Sequence, residues 1–126
     1  MRRAARSGSP FEATIGFSRA LRAGPHVHVA GTCAVWPDGH VEPDAGAQAE
    51  RCLEIIQSAI EDVDARISDV VRTRVFLLDA ADADVVAEVH GRWFGEIRPA
   101  SSFIVVRGFL DPRWRVEIEA EALLVE

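Results

Sequence analysis

Two short runs in this chain have no polar side. Val75-Phe76-Leu77-Leu78 and Phe103-Ile104-Val105-Val106 would place apolar side chains on both faces of any strand they form, because successive strand residues point in opposite directions. Strands of that kind are normally buried on both sides. The rest of the chain supplies cover for one side. From Ala45 onward, Cys52, Ile55, Ile56, Ala59, Ile60 and Val63 recur at helical spacing. They make one apolar stripe on a helix of about 18 residues, with Gln48, Glu50, Glu54, Gln57 and Glu61 off it. A second helix is expected from Asp84 to about Gly95, with Val85, Val86, Val89, Trp93 and Phe94 as its apolar positions. Asp79 and Asp82 are candidate caps for it, and Glu88 and Arg92 form an i,i+4 pair.

Alternation with period two marks the strands. His26-Val27-His28-Val29 follows a Gly24-Pro25 turn and predicts a strand over 26–31, paired with a short one around Phe17 to Leu21. Val70 to Leu78, Ser102 to Val106 and Val116 to Leu124 complete the set. The order β-β-α-β-α-β-β predicts an α+β fold, a single mixed sheet with two helices on one face. The opposite face of the apolar strands then requires a second copy of the chain.

The 126 residues suffice for one core, read as a single domain over 11–126 preceded by a flexible arm over 1–10. Arg2, Arg3 and Arg6 lie in that arm. Setting those three aside leaves 11 of the 14 basic residues against 20 acidic ones, a net charge of −9 on the folded body. Such a surface repels phosphate backbones, so nucleic acid is not an expected partner and nuclease activity is not expected. No apolar run approaches the roughly 18 residues that span a bilayer. Cys33 and Cys52 form neither a disulfide framework nor a CxxC pair, which suits a reducing cytoplasm.

The order and spacing of several segments resemble the RidA family, also called YjgF and long labelled endoribonuclease L-PSP. They are Gly16-Phe17-Ser18-Arg19-Ala20, Val27-His28-Val29-Ala30-Gly31, Gln48 leading the Cys52-to-Val63 helix, and Ile67-Ser68-Asp69-Val70-Val71 running into Val75-Phe76-Leu77-Leu78-Asp79. Trp93-Phe94, Pro99-Ala100 and Val116-Glu117-Ile118-Glu119-Ala120 follow. The resemblance implies a chorismate-mutase-like fold, a homotrimer closed as a trimeric barrel, and small-molecule clefts between subunits. It also implies hydrolysis of reactive enamines or imines, such as 2-aminoacrylate, to carbonyl compounds and ammonia, with neither metal nor cofactor. A non-catalytic trimer that binds a metabolite or a partner protein is the alternative.

The family's functional positions fall on Phe17 (tyrosine in the family), Ala30 (serine), Ala87 (asparagine), Ser101 (the carboxylate-binding arginine), Phe103 (cysteine) and Glu117, where the acidic residue is kept. Glu117 is the candidate catalytic residue, placing or activating a water; a strand with one solvated acidic face, shared with Glu119 and Glu121, is the other reading. The remaining five are candidate substrate-binding positions. A hydrogen bond to a charged group contributes roughly 1.5–3 kcal/mol, so the missing arginine should cost at least about 10-fold against small carboxylates. Arg107 lies about 20 Å along the strand from Ser101, and Arg98 has the opposite parity. The replacements Ala30, Ala87 and Phe103 reduce polarity, which favours uncharged ligands.

His26 and His28 have an H-x-H spacing seen in metal sites, but His40, His90 and Cys33 stand at no spacing that completes a ligand set, and no metal is expected. Cys33 has no neighbouring basic residue to activate it. Ser101 and Ser102 lack a nucleophile elbow, and no histidine is marked as a base in reach.

Overall fold

The computed structural model describes residues 1–125. Strands β1 (Arg2–Ala5), β2 (Ala20–Ala23), β3 (His26–Cys33), β4 (Val70–Leu77), β5 (Ala100–Val105) and β6 (Val116–Leu123) form one sheet in the order β1-β2-β3-β6-β4-β5. Neighbours are antiparallel except β4 and β5, which run parallel. Helices α1 (Ala45–Asp62) and α2 (Ala83–Phe94) lie side by side, with α1 across β3 and β6. The expected mixed sheet with two covering helices is therefore what the chain forms.

One element was not anticipated. Residues 1–10 were expected to be a free arm, yet Arg2–Ala5 pairs with β2 as the sheet's edge strand and Ala5 is buried. Only one of the four residues of that strand is buried, so the alternation that would announce it is too short to read. The partner strand also lies slightly later than expected, at Ala20–Ala23, across a hairpin whose Gly24 has φ +61°, a backbone region that glycine enters at little cost.

The core is set by alternation. Val116, Ile118, Ala120 and Ala122 of β6 and Thr73, Val75 and Leu77 of β4 point toward the helices and are buried. They meet Cys52, Leu53, Ile56, Ala59, Ile60 and Val63 of α1 and Val86, Val89 and Phe94 of α2. Glu117, Glu119 and Glu121 alternate with the buried β6 positions and stand on the other face, where Arg74 of β4 reaches Glu119 (3.6 Å) and Glu121 (3.1 Å). At the β5 edge Phe103, Ile104 and Val105 are exposed, as is Val71 of β4. The two-sided apolar strands thus leave hydrophobic surface uncovered in the isolated chain.

The helix ends follow from local chemistry. Asp44 caps α1 by accepting from the Ala47 amide at 2.8 Å. Asp79 caps a short turn at Ala80–Asp82 rather than α2. Asp82 precedes α2 but makes no side-chain cap; its carboxylate accepts from Arg115 at 2.7 and 3.0 Å instead.

Gln48 departs from the expected polar face of α1. It lies one turn before Cys52, on the buried stripe, and is fully buried. Its Nε2 donates to the carbonyls of Glu42 (2.7 Å) and Arg113 (3.0 Å), and its Oε1 accepts from the Arg115 amide (2.8 Å). One side chain therefore fastens the start of α1 to the loop entering β6. Gln48→Leu would remove three hydrogen bonds of a fully buried side chain and leave their partly buried backbone partners without it, each bond contributing about 1 kcal/mol. We expect a loss on the order of 3 kcal/mol or more, read as a shifted urea midpoint at unchanged m-value.

Candidate functional site

An open cavity of about 1000 Å³ lies beside β3 and β6, and Phe17, Ala30 and Glu117 all line it. Its geometry depends on an irregularity in β3. Val29 pairs with Ala120 and Thr32 with Ile118, so three steps on β3 match two on β6, which makes a bulge at Ala30-Gly31. The bulge lays the Gly31 backbone against the Glu117 side chain. A Cβ at Gly31 would come within 2.7 Å of Glu117 Oε2 and 2.8 Å of its carboxyl carbon. The carboxylate sits where only glycine leaves room.

Cys33, two residues beyond Gly31 and paired in register with Glu117, brings its Sγ to 3.4 Å from Glu117 Oε1. Burial, followed by the neighbouring carboxylate, pushes the thiol well above its ordinary range. Cys33 is thus a protonated donor to Glu117 and not a thiolate. Glu117 is itself raised above the usual carboxylate value: burial is the main cause, the Cys33 hydrogen bond opposes it, and the nearby Glu119 adds to it. A carboxylate moved toward neutrality is a better proton acceptor from water.

Arg19, in the segment between the turn at Glu12–Gly16 and β2, organises one wall of the cavity. It is buried, pairs with the buried Glu12 at 3.6 Å, and donates to the Gly31 carbonyl (2.5 Å) and to Thr32 Oγ1 (3.2 Å). Its guanidinium also lies over the Phe17 ring, 5.1 Å from the centroid. Glu12 accepts in turn from the Ser7 hydroxyl and from the Ser7 and Ser9 amides. This chain of contacts locks the first residues against the bulge. Its signal in the sequence is weak, because Glu12 and Arg19 are separated by an irregular segment with no period.

The other three candidate positions are elsewhere. Ser101 and Phe103 of β5 pair in register with Thr73 and Val75 of β4 and so face the helix side of the sheet. Ala87 is exposed on α2. Within one chain the six candidates are therefore dispersed, with Phe17, Ala30 and Glu117 at the cavity, Ser101 and Phe103 on the far edge strand, and Ala87 apart on α2. Register separates them: Ser101 pairs with Thr73, whose side chain faces the helices, whereas Glu117 pairs with Phe76 on the other face.

Ser101 is not isolated. Thr73 Oγ1 lies 2.7 Å from its hydroxyl and 2.8 Å from His90 Nε2, and the His90 ring packs against Phe94 and edge-on to Phe103. Burial lowers the basicity of His90 below the ordinary imidazole range. His26 and His28 lie exposed on β3. Among the described residues no three His, Cys, Asp or Glu side chains converge as a metal set, and no helix is long and apolar enough to cross a membrane.

Residues 8–124 match the sequence model of the family described as Endoribonuclease L-PSP. An uncharacterized Streptomyces coelicolor protein, SCO2049, is 40% identical over 121 residues, 95% of this chain and 90% of its own length. The crystal structure of Rv2704 from Mycobacterium tuberculosis, described as a member of the YjgF/YER057c/UK114 family, superposes with a TM-score of 0.91 at 40% identity, covering 98% of this chain and all of that one. The Escherichia coli YjgF gene product superposes at 0.81 with 27% identity over 95% of this chain and 92% of its own. The chain belongs to the YjgF/RidA family, the one that carries the Endoribonuclease L-PSP label.

Proposed function

We propose that this protein hydrolyses an enamine or imine to a carbonyl compound and ammonia, in clefts completed between the subunits of a homotrimer. The observation that carries the reading is Glu117, a half-buried carboxylate of raised pKa at the wall of an open cavity, backed by Gly31 and held by the Cys33 thiol. Glu117 takes a proton from water as the water oxygen bonds to the C=N carbon. It then returns that proton to nitrogen, the C–N bond breaks as the carbonyl forms, and the hydroxyl proton of the intermediate leaves with nitrogen as ammonia; an enamine reacts as its imine tautomer. The remaining requirement is a way to hold the substrate over that carboxylate.

The separation of the candidates into two groups supports a cleft shared by two copies. The edge strand β5 exposes Phe103, Ile104 and Val105, apolar surface of the kind that subunit contacts cover. A second copy docked through it would bring its Ser101 and Phe103 toward the first copy's Glu117. Ser101 in place of arginine favours a ligand other than a small carboxylate, and in the binding-only alternative the same cleft holds a ligand without turnover.

Static light scattering at micromolar concentration should give three times the chain mass, and a stable monomer would contradict the shared cleft. In an ammonia-release assay the wild type should be slow on 2-aminoacrylate-type imines, with residual turnover abolished in Glu117→Ala. Ser101→Arg should raise that turnover, and adding Phe103→Cys should raise it further. Robust wild-type turnover of these carboxylates would show that another arginine holds them. Gly31→Ala should displace the Glu117 carboxylate and lower turnover by at least about tenfold, the equivalent of ~1.4 kcal/mol in the barrier. Its melting temperature should be followed beside the activity, and unchanged activity in a folded Gly31→Ala protein would remove Glu117 from the chemistry.

A further inference from the structure

Three arginines border the cavity, and each is engaged by a carboxylate of its own chain. Arg19 pairs with Glu12 at 3.6 Å, Arg51 with Glu54 at 3.3 Å and Arg113 with Asp111 at 2.7 Å. The Arg51 guanidinium also donates to the Val35 carbonyl, and that of Arg19 to Gly31 and Thr32. Of the carboxylates on the cavity wall, Glu54 and Asp111 are the partners just named, and Glu119 is held by Arg74 at 3.6 Å. Glu117 alone among the described cavity carboxylates has no basic side chain in ion-pair contact; its hydrogen-bond partner is the neutral Cys33 thiol. Its register neighbour on β4 is Phe76, and the charges that reach it are those of Glu119 and the already engaged Arg19. Phe17, Trp36 and Trp114 contribute aromatic surface to the same wall.

A site so arranged has one net charge to offer, and it is negative. An anionic ligand would meet Glu117 with no free arginine to offset it, whereas a cation would supply the counter-charge the carboxylate lacks. Aromatic walls favour cations further. We infer that the cavity binds a cation without a carboxylate group, an iminium ion or the ammonium it yields, with Glu117 as the counter-ion. This replaces the expectation of an uncharged ligand drawn from Ala30, Ala87 and Phe103. The cation preference stands on the charge arrangement itself, while the choice of an iminium rests on the hydrolytic function proposed above.

For an iminium R₂C=NHR′⁺ the reaction balances with water alone. The water oxygen bonds to carbon as the C=N π pair moves to nitrogen, and Glu117 takes the water's proton. Glu117 returns that proton to nitrogen, the C–N bond breaks, and the hydroxyl proton of the intermediate ends on the leaving amine. The products are R₂C=O and R′NH₃⁺. Glu117 serves the cation in both of its forms, since substrate and amine product carry the same single positive charge.

Isothermal titration of the wild-type protein with benzylammonium and with benzoate tests the charge preference. Benzylammonium should bind at least about tenfold more tightly, with affinity rising as pH increases through the titration of Glu117, because only the ionised carboxylate pairs with it. Glu117→Gln, checked by its melting curve, should erase the preference. Equal or tighter binding of benzoate, or a preference that survives in Glu117→Gln, would overturn the inference. Hydrolysis of N-benzylidene methylamine, followed as benzaldehyde release, separates this from the hydrolytic reading. Benzylammonium binding without hydrolysis of that imine or of 2-iminopropanoate leaves the cation site standing and removes the hydrolase. Hydrolysis of 2-iminopropanoate by a protein that does not prefer benzylammonium keeps the hydrolase and removes the cation site.

Discussion

The close approach of Gly31 to Glu117 is the contact on which the site depends. A strand residue with a side chain at that position would occupy the space of the carboxylate. The bulge that turns Gly31 toward β6 also changes the register of β3, so Thr32 and Ala34 face the helices after Val27 and Val29 have done so. One inserted residue thereby keeps the core continuous along β3 and opens a gap on the other side of the sheet. The Arg19 guanidinium donates to the carbonyl of this same glycine, so the bulge is held from the sheet side by its strand neighbours and from the edge by a buried ion pair.

That ion pair connects the site to the beginning of the chain. Arg19 and Glu12 are both buried, and a buried charge is stable only when its hydrogen-bonding capacity is met. Glu12 meets it with the Ser7 and Ser9 groups, Arg19 with Gly31, Thr32 and Ser7. Together these bonds carry the chain from β1 across the cavity wall to β2. Glu12 is held below the usual carboxylate range: burial opposes the shift, and the Ser7 hydrogen bonds with the Arg19 charge outweigh it. The wall is therefore fully charged and internally neutral at neutral pH, which is why it adds no charge of its own to the pocket.

The fold was legible where a period repeated. The stripe from Cys52 to Val63, the alternation of β6 and the continuous apolar runs at 75–78 and 103–106 gave the first helix and the strands, and the last of these runs stands exposed along the β5 edge. Short or irregular features were not legible. β1 buries one residue in four, the bulge inserts one residue without a sequence mark beyond a glycine, and Gln48 is satisfied by backbone groups of the segment before α1 and of the distant loop entering β6. The site followed the same division. Glu117 could be named from its motif, and Phe17 and Ala30 join it at the cavity, but its environment comes from Cys33, Gly31 and Arg19, whose contacts cross 12 to 86 positions of chain.

The replacement at position 101 is consistent with its own surroundings. Thr73 is fully buried and must place its hydroxyl, and His90 can satisfy it whatever stands at 101. Ser101 is exposed and reaches that hydroxyl from outside. Burial lowers the basicity of His90 and so disfavours a positive charge in the relay. The relay can turn a hydroxyl toward either a donor or an acceptor on a ligand, depending on which nitrogen of His90 holds the proton. An arginine at this position would commit the edge strand to an anion. A serine backed by a hydroxyl and an imidazole commits it to neither sign, and in the shared cleft proposed above the charge selectivity would then pass to Glu117, which has no basic side chain in ion-pair contact.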